Sequence, residues 1–346
     1  MRTIDTDIHP ALPSVDDLLP YLPRYWQEEL RNTSFHGAAD QVVPRASPIC
    51  GDSRTVRAVE DAAALVAHRF APPQECEAAV LTSLYAVDAI RNPDAAAAIA
   101  SAINNWQVAR WLDHDSRFRA SIVVPSQYPD LAAAEIRRAR GADARFVQVT
   151  LPVRAASLYG QRAYHPLFEA AAECRIVVGL HQGGFSGHPS TSVGWSTYQI
   201  EEYVNMSAAA QAQLLSLLAE GIFVRYDGVR LAIHDCGFCW LPGFLWRLDK
   251  DWKGLRREVP WVKEAPSEYV YRHVKFGTGH VDVPCDQPAV LRRALDDLRA
   301  EHLLMYASDL PHSRSGRHDG ALSEALSDGA AARVMADNAE AFYGLD

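Results

Sequence analysis

No stretch of the 346-residue chain approaches the roughly 20 uncharged apolar residues that cross a bilayer. The opening MRTIDTDIHP also lacks the apolar core of a secretory signal. A soluble, cytoplasmic protein is the expectation, with no membrane partner. Positive charge is short: 34 Lys plus Arg stand against 43 Asp plus Glu, a formal net charge of −9. That removes the basic footprint by which proteins hold a phosphate backbone, so no nucleic acid is expected. Cysteine is sparse, at Cys50, Cys76, Cys174, Cys236, Cys239 and Cys285. This is too thin for the disulfide framework of a small secreted scaffold, and reduced thiols are the default. Lysine occurs only at Lys250, Lys253, Lys263 and Lys275, and no internal repeat is visible.

What is present is an ordinary globular composition, 48% hydrophobic and 22% charged, with apolar residues enough for a large core. Short β-rich runs alternate with helical stretches, as in βα units around a parallel sheet. The runs are RTIDTDIH (2–9), AAVLTSL (78–84), RASIVVP (119–125), RFVQVTLP (145–152), RIVVGLH (175–181), VRLAIHD (229–235), HVKFGTG (273–279) and HLLMYASD (302–309). Eight of them point to an α/β chain closed as a (β/α)8 TIM barrel. Between them, 92–115, 128–140 and 286–299 read as crossover helices; the first spaces Ile99, Ile103 and Trp106 on one helical face. Residues 10–77 break the rhythm with eight prolines and little strand signal. We expect one barrel domain over 1–346 with 10–77 inserted after strand 1, as a lid over the catalytic face or an oligomer contact.

Metal-capable side chains gather at the C-terminal ends of the predicted strands, the face where barrels build their active sites. Asp7 and His9 end strand 1 with D-x-H spacing, and a strand period of two points both to the same side. His181 closes strand 5, His234 and Asp235 close strand 6, and Asp309 closes strand 8. Imidazoles and carboxylates suit a divalent ion with an open coordination position, and hence metal-assisted hydrolysis or decarboxylation. Adjacent strand residues face opposite ways, so only one of His234 and Asp235 is expected to reach the ion.

The segments IDTDIHP, GLHQGG, the stretch from DCGFCWLPGFLWRLDKDWKG to SEYV, and MYASDLPH carry a family resemblance. The chain resembles the amidohydrolase superfamily, in the amidohydrolase-related group that includes the aminocarboxymuconate semialdehyde decarboxylase type. The resemblance implies a (β/α)8 barrel with one or two divalent metals at the strand ends. It makes Asp7 and His9 the first-strand ligands, where many relatives carry H-x-H, His181 the fifth-strand ligand and Asp309 the eighth-strand aspartate. Strand 6 aligns two ways, placing either His234 or Asp235 at the catalytic position. Carbamate-bridged relatives need a lysine ending strand 4; RFVQVTLP has none, so a carbamylated site is excluded.

The expected function is a metal-dependent hydrolase or decarboxylase of a small carboxylated substrate. Zinc is the first choice, with iron or manganese as alternatives. Asp7, His9, His181, Asp309 and His234 are the ligand candidates, and His234, Asp309 and Asp235 the catalytic ones. Arg154, His188, Trp195 and His312 are candidates for substrate contact, the arginine through its planar fork. The competing readings are an iron or mixed-metal oxygenase on the same barrel, and a non-catalytic subunit partnering a paralogous active chain. Assembly is expected to be a homo-oligomer, or a hetero-oligomer in the latter case. CGFC (236–239) has dithiol spacing without the thioredoxin-like context, and reads as loop packing.

Overall fold

In the computed structural model, the structure describes residues 1–32, 53–72, 75–183, 189, 191, 193–283, 286–312 and 319–345. Eight parallel strands run in sequence order around one sheet: β1 (Ile4–Ile8), β2 (Ala78–Leu81), β3 (Phe118–Val123), β4 (Phe146–Pro152), β5 (Val177–His181), β6 (Arg230–His234), β7 (Val274–Gly277) and β8 (Leu304–Met305). The seam between last and first strand is hydrogen-bonded. Thr6 N–H donates to the Tyr306 carbonyl at 3.0 Å, His9 N–H to that of Leu310 at 2.7 Å, and Asp309 N–H to that of Asp7 at 3.1 Å. The expected (β/α)8 barrel is therefore the fold.

Helices return the chain between strands, and local sequence explains their starts. Asn92 accepts the Ala95 N–H at 3.1 Å, and Pro93, which has no N–H to lose, opens the helix Pro93–Gln107. Pro129 opens Pro129–Ala142 in the same way, and Pro288 opens Pro288–Leu298. Most of the apolar core lies between strands and helices, with Phe118, Ile122, Phe146, Leu167 and Phe168 all buried. A second cluster gathers Ile4, Val177, Ala232 and Met305 under Phe342 and Tyr343 of the last helix, Asn338–Tyr343.

Two expectations need adjustment. The eighth run was expected as strand over 302–309, but β8 keeps two residues of ladder: Ala300–Leu303 is a helical turn and Tyr306–Asp309 leaves the ladder to enter the site. The helix expected over 92–115 ends at Gln107 and passes into a π turn at Val108–Leu112. Between β1 and β2 the described residues are mainly helical, over Val15–Leu18, Arg24–Asn32, Ser53–Ala58 and Ala62–Arg69. Arg69 fastens that segment to β1: its guanidinium lies 2.6 Å from the Asp5 carboxylate, fully buried, and 3.0 Å from the Tyr306 hydroxyl.

Candidate metal centre

The ends of β1, β5, β6 and β8 converge. Asp7 Oδ2 lies 3.0 Å from His181 Nε2, 3.6 Å from His9 Nε2 and 3.8 Å from His234 Nδ1. His9 Nε2 meets Asp309 Oδ1 at 3.0 Å, and the same oxygen meets His312 Nδ1 at 2.7 Å. The far ring nitrogens are held by backbone: His9 Nδ1 by the Thr82 carbonyl at 3.0 Å, His181 Nδ1 by the Gln182 carbonyl at 2.7 Å. That leaves both Nε2 atoms facing the cluster, the orientation a ligating imidazole needs. Asp7, His9, His181, His234, Asp235 and Asp309 are all buried.

Asp235 reaches the same place, 3.8 Å from His181 Nε2. The expectation that only one of the strand-6 pair faces the site assumed extended backbone, but Asp235 has φ +58°. Leaving the strand in the left-handed region turns its side chain back beside that of His234. Asp309 does the same at φ +54°. Two non-glycine residues in this conformation at one site mark backbone held there by its surroundings.

The donor atoms fall into two overlapping groups, Asp7 with His9, His181 and Asp235, and His9 with Asp235, Asp309 and His312. Within each, one atom per residue lies within 4.8 Å of all the others. His234 stands beside these groups: its ring stacks on that of His181, 6.3 Å between centroids, and its Nε2 is 3.4 Å from the Tyr343 hydroxyl, which donates to Gln148. Three carboxylates so close together and out of water call for positive charge. The imidazoles supply some of it: Asp7 and Asp309 outweigh burial and raise His9 to about 9, and Asp7 raises His181 as well. Burial pushes the Asp7 carboxyl up, yet the facing rings of His9, His181 and His234 hold it below the ordinary carboxylate range. His234 goes the other way: burial, with repulsion from His181 and His9, lowers it to about 4 despite Asp7, so it is neutral at pH 7. Among the described residues, Asp7 Oδ1 and His234 Nδ1 find no hydrogen-bond partner although buried. Orphaned acceptors in a buried carboxylate and imidazole cluster fit a divalent cation.

A family model described as amidohydrolase matches residues 4–345. The chain belongs to the amidohydrolase family. Solved structures similar to this amidohydrolase include a 5-carboxyvanillate decarboxylase from Sphingomonas paucimobilis, 17% identical with TM-score 0.72, each chain covered to 99%. A 2,6-dihydroxybenzoate decarboxylase from Rhizobium is 19% identical with TM-score 0.68, each chain covered in full. A dihydroxybenzoic acid decarboxylase from Polaromonas sp. JS666, holding manganese and the inhibitor 2-nitroresorcinol, is 20% identical with TM-score 0.67, covering 99% of this chain and 97% of that one. No curated protein sequence matches the chain.

The structure places the other candidates unevenly. His312, expected to touch substrate, is bonded to Asp309 and joins the second donor group. Arg154 is buried, ion-paired with Glu202. Trp195 is 65% exposed and makes no part of the cluster. His188 lies outside the described residues. Of the CGFC cysteines, Cys236 is buried and Cys239 half-buried, and no helix among the described residues is long and apolar enough to cross a membrane. Sequence reasoning passed over Tyr343, Gln148, Gly277 at the end of β7 and Gly279 just beyond it. An ideal Cβ at Gly277 would lie 2.6 Å from His234 Nδ1, so only glycine lets that strand approach the imidazole.

Proposed function

We propose that this amidohydrolase is a divalent-metal decarboxylase of a small aromatic carboxylate. The observation that carries the reading is the buried convergence of Asp7, His9, His181 and Asp235 on the first group and Asp309 and His312 on the second. The named activities of the similar barrels favour decarboxylation over hydrolysis. The donor set, with as many carboxylates as imidazoles, suits manganese at least as well as the zinc expected from sequence, and a similar barrel holds manganese. We place manganese first, with zinc and iron as alternatives.

A bound ion would supply Lewis acidity, steadying the negative charge left on the substrate as carbon dioxide departs. The chain's own residues do the rest. Asp309 shares one oxygen with His9 Nε2 and His312 Nδ1, the arrangement of a group that accepts a proton from solvent and delivers it to the reacting carbon, where it replaces the departing carboxyl group. His234, neutral and with Nδ1 facing Asp7, offers a second proton acceptor. Arg154 is the cation for a substrate carboxylate, which must displace Glu202 to reach it. We also read 1–346 as one domain with 10–77 roofing the strand ends, working in the cytoplasm as a homo-oligomer. Exposed Trp195, Tyr198, Ile200 and Val204, close together in sequence, support the last point.

The test strips the protein of metal, reloads it with manganese or zinc, and incubates it with 2,6-dihydroxybenzoate and 5-carboxyvanillate. Metal-dependent release of carbon dioxide is expected. Hydrolysis of amide or ester substrates, with no decarboxylation of any aromatic acid, would replace this reading by a hydrolase.

A further inference from the structure

The segment Gly277–Asp282, where β7 leaves the barrel, supplies no member of either donor group, yet it touches the end of every neighbouring strand that does. Gly277 faces the His234 ring, as described above. Thr278 clasps the β8 side: its N–H donates to the Met305 carbonyl at 3.0 Å and its hydroxyl accepts the Ala307 N–H at 3.0 Å. At Gly279 an ideal Cβ would lie 2.7 Å from Asp235 Oδ1 and 3.0 Å from the Asp309 Cβ, so the backbone itself forms the wall between the two carboxylates. Asp282 then reaches across to the turn after β6, where one oxygen accepts the N–H groups of Phe238 (2.7 Å) and Cys239 (2.8 Å). Gly237, at φ +66°, makes that contact possible: an ideal Cβ there would stand 2.1 Å from Asp282 Oδ1.

We infer that Gly277–Asp282 is a positioning segment, and that Asp282 and Gly279 hold Asp235 in its left-handed turn with its carboxylate among the metal donors. Two features of the sequence thereby gain a purpose. The CGFC run provides the backbone amides that Asp282 grips, with Gly237 as the residue that admits the carboxylate. The glycines of KFGTGH let a strand without ligands press against residues on both sides. Left to itself, an aspartate pays a conformational cost at φ +58°, and the two hydrogen bonds to Asp282 offset that cost by fixing the turn that follows. The inference rests on the metal reading above.

The experiment measures Mn2+ affinity by electron paramagnetic resonance titration of metal-depleted wild type, Asp282→Ala, Asp282→Asn and Gly279→Ala, with thermal midpoints recorded on the same samples. Removing a supporting contact around metal ligands typically weakens binding 10- to 100-fold. That loss is expected for Asp282→Ala and Gly279→Ala at temperatures well below their midpoints, with a smaller one for Asp282→Asn, which keeps an acceptor oxygen. A purely structural role would lower the midpoint and leave the affinity alone, and wild-type affinity in folded Asp282→Ala or Gly279→Ala would overturn the inference. If Asp282→Ala does not fold, Gly279→Ala decides the matter by itself, because it acts on Asp235 and Asp309 directly. A wild-type chain that binds no metal would instead sink the reading on which the inference rests.

Discussion

His181 and Asp309 both stand in the donor cluster but differ in what surrounds them. His181 offers the ion one nitrogen, Nε2, so His181→Ala should cost metal occupancy directly, about 10-fold or more in affinity. Asp309 is bonded to two imidazoles, and asparagine keeps its shape while removing its charge. Activity of Asp309→Asn should therefore fall further than its metal content. Mass-spectrometric metal content beside turnover and circular dichroism separates the two, and unchanged content in both folded variants would remove the proposed centre. The pH dependence has a definite sign. In metal-depleted protein His9 titrates near 9, above its ordinary 6.5. Its contribution to stability is then fully present below about 6.5 and lost as pH rises through 9. A metal needs the deprotonated ring, so Mn2+ affinity should climb between pH 6.5 and 9, by up to about tenfold per unit for each proton displaced. Isothermal titration in buffers of different ionisation heat reads that proton release directly; a flat profile would show that His9 is not a ligand.

The helix Ala62–Arg69 is joined to β1 by one buried ion pair, and breaking one side of such a pair costs about 3 to 5 kcal/mol. Burial outweighs Arg69 and raises the Asp5 carboxyl above its ordinary range, so Asp5 binds a proton more readily folded than unfolded. Stability from that group is greatest at low pH and is lost as pH rises through the raised value. Arg69→Leu, which leaves Asp5 without its cation, should be destabilised by about that amount at pH 7 and by less at pH 5; denaturant midpoints at the two pH values check it. At this scale the sequence was most readable where a run is both apolar and bounded. β2 to β7 begin within two residues of their expected starts, since each is a buried stretch between turn residues and helix caps. It was least readable where an element ends inside the site. β8 stops at Met305 because Tyr306–Asp309 serves the seam and the donor cluster, and the strand-6 alternation fails at Asp235 because its backbone leaves the extended region. Nor does a glycine in sequence announce a neighbour. The need for Gly277 exists only once His234 stands beside it, and Tyr343 is legible as core but not as the group beneath that imidazole.

For the molecule as a whole, the centre gathers charge that folding alone would keep apart, and a cation that relieves it should stabilise the native state. At 100 times its dissociation constant, Mn2+ would add about 2.7 kcal/mol, raising the thermal midpoint by on the order of 5 °C in a chain of this size. Differential scanning fluorimetry across a manganese series checks this, and a midpoint indifferent to the ion would argue against binding at the native state. The barrel's seam carries one further consequence, for the order in which the protein comes into being. His9 and Asp309 are 300 residues apart, and the hydrogen bonds that seat them side by side join the first strand to the last turn before the closing helices. A ribosome reading from the N-terminus completes His9 and His181 long before their counterpart exists. The growing chain carries half a centre and an open sheet edge until β8 arrives, and Tyr343 slides beneath His234 last of all. Closure of the sheet and completion of the donor set thus both wait for the last strand and the turn after it, and a nascent chain stalled short of Asp309 has neither a finished barrel nor a full set of ligands to offer a metal.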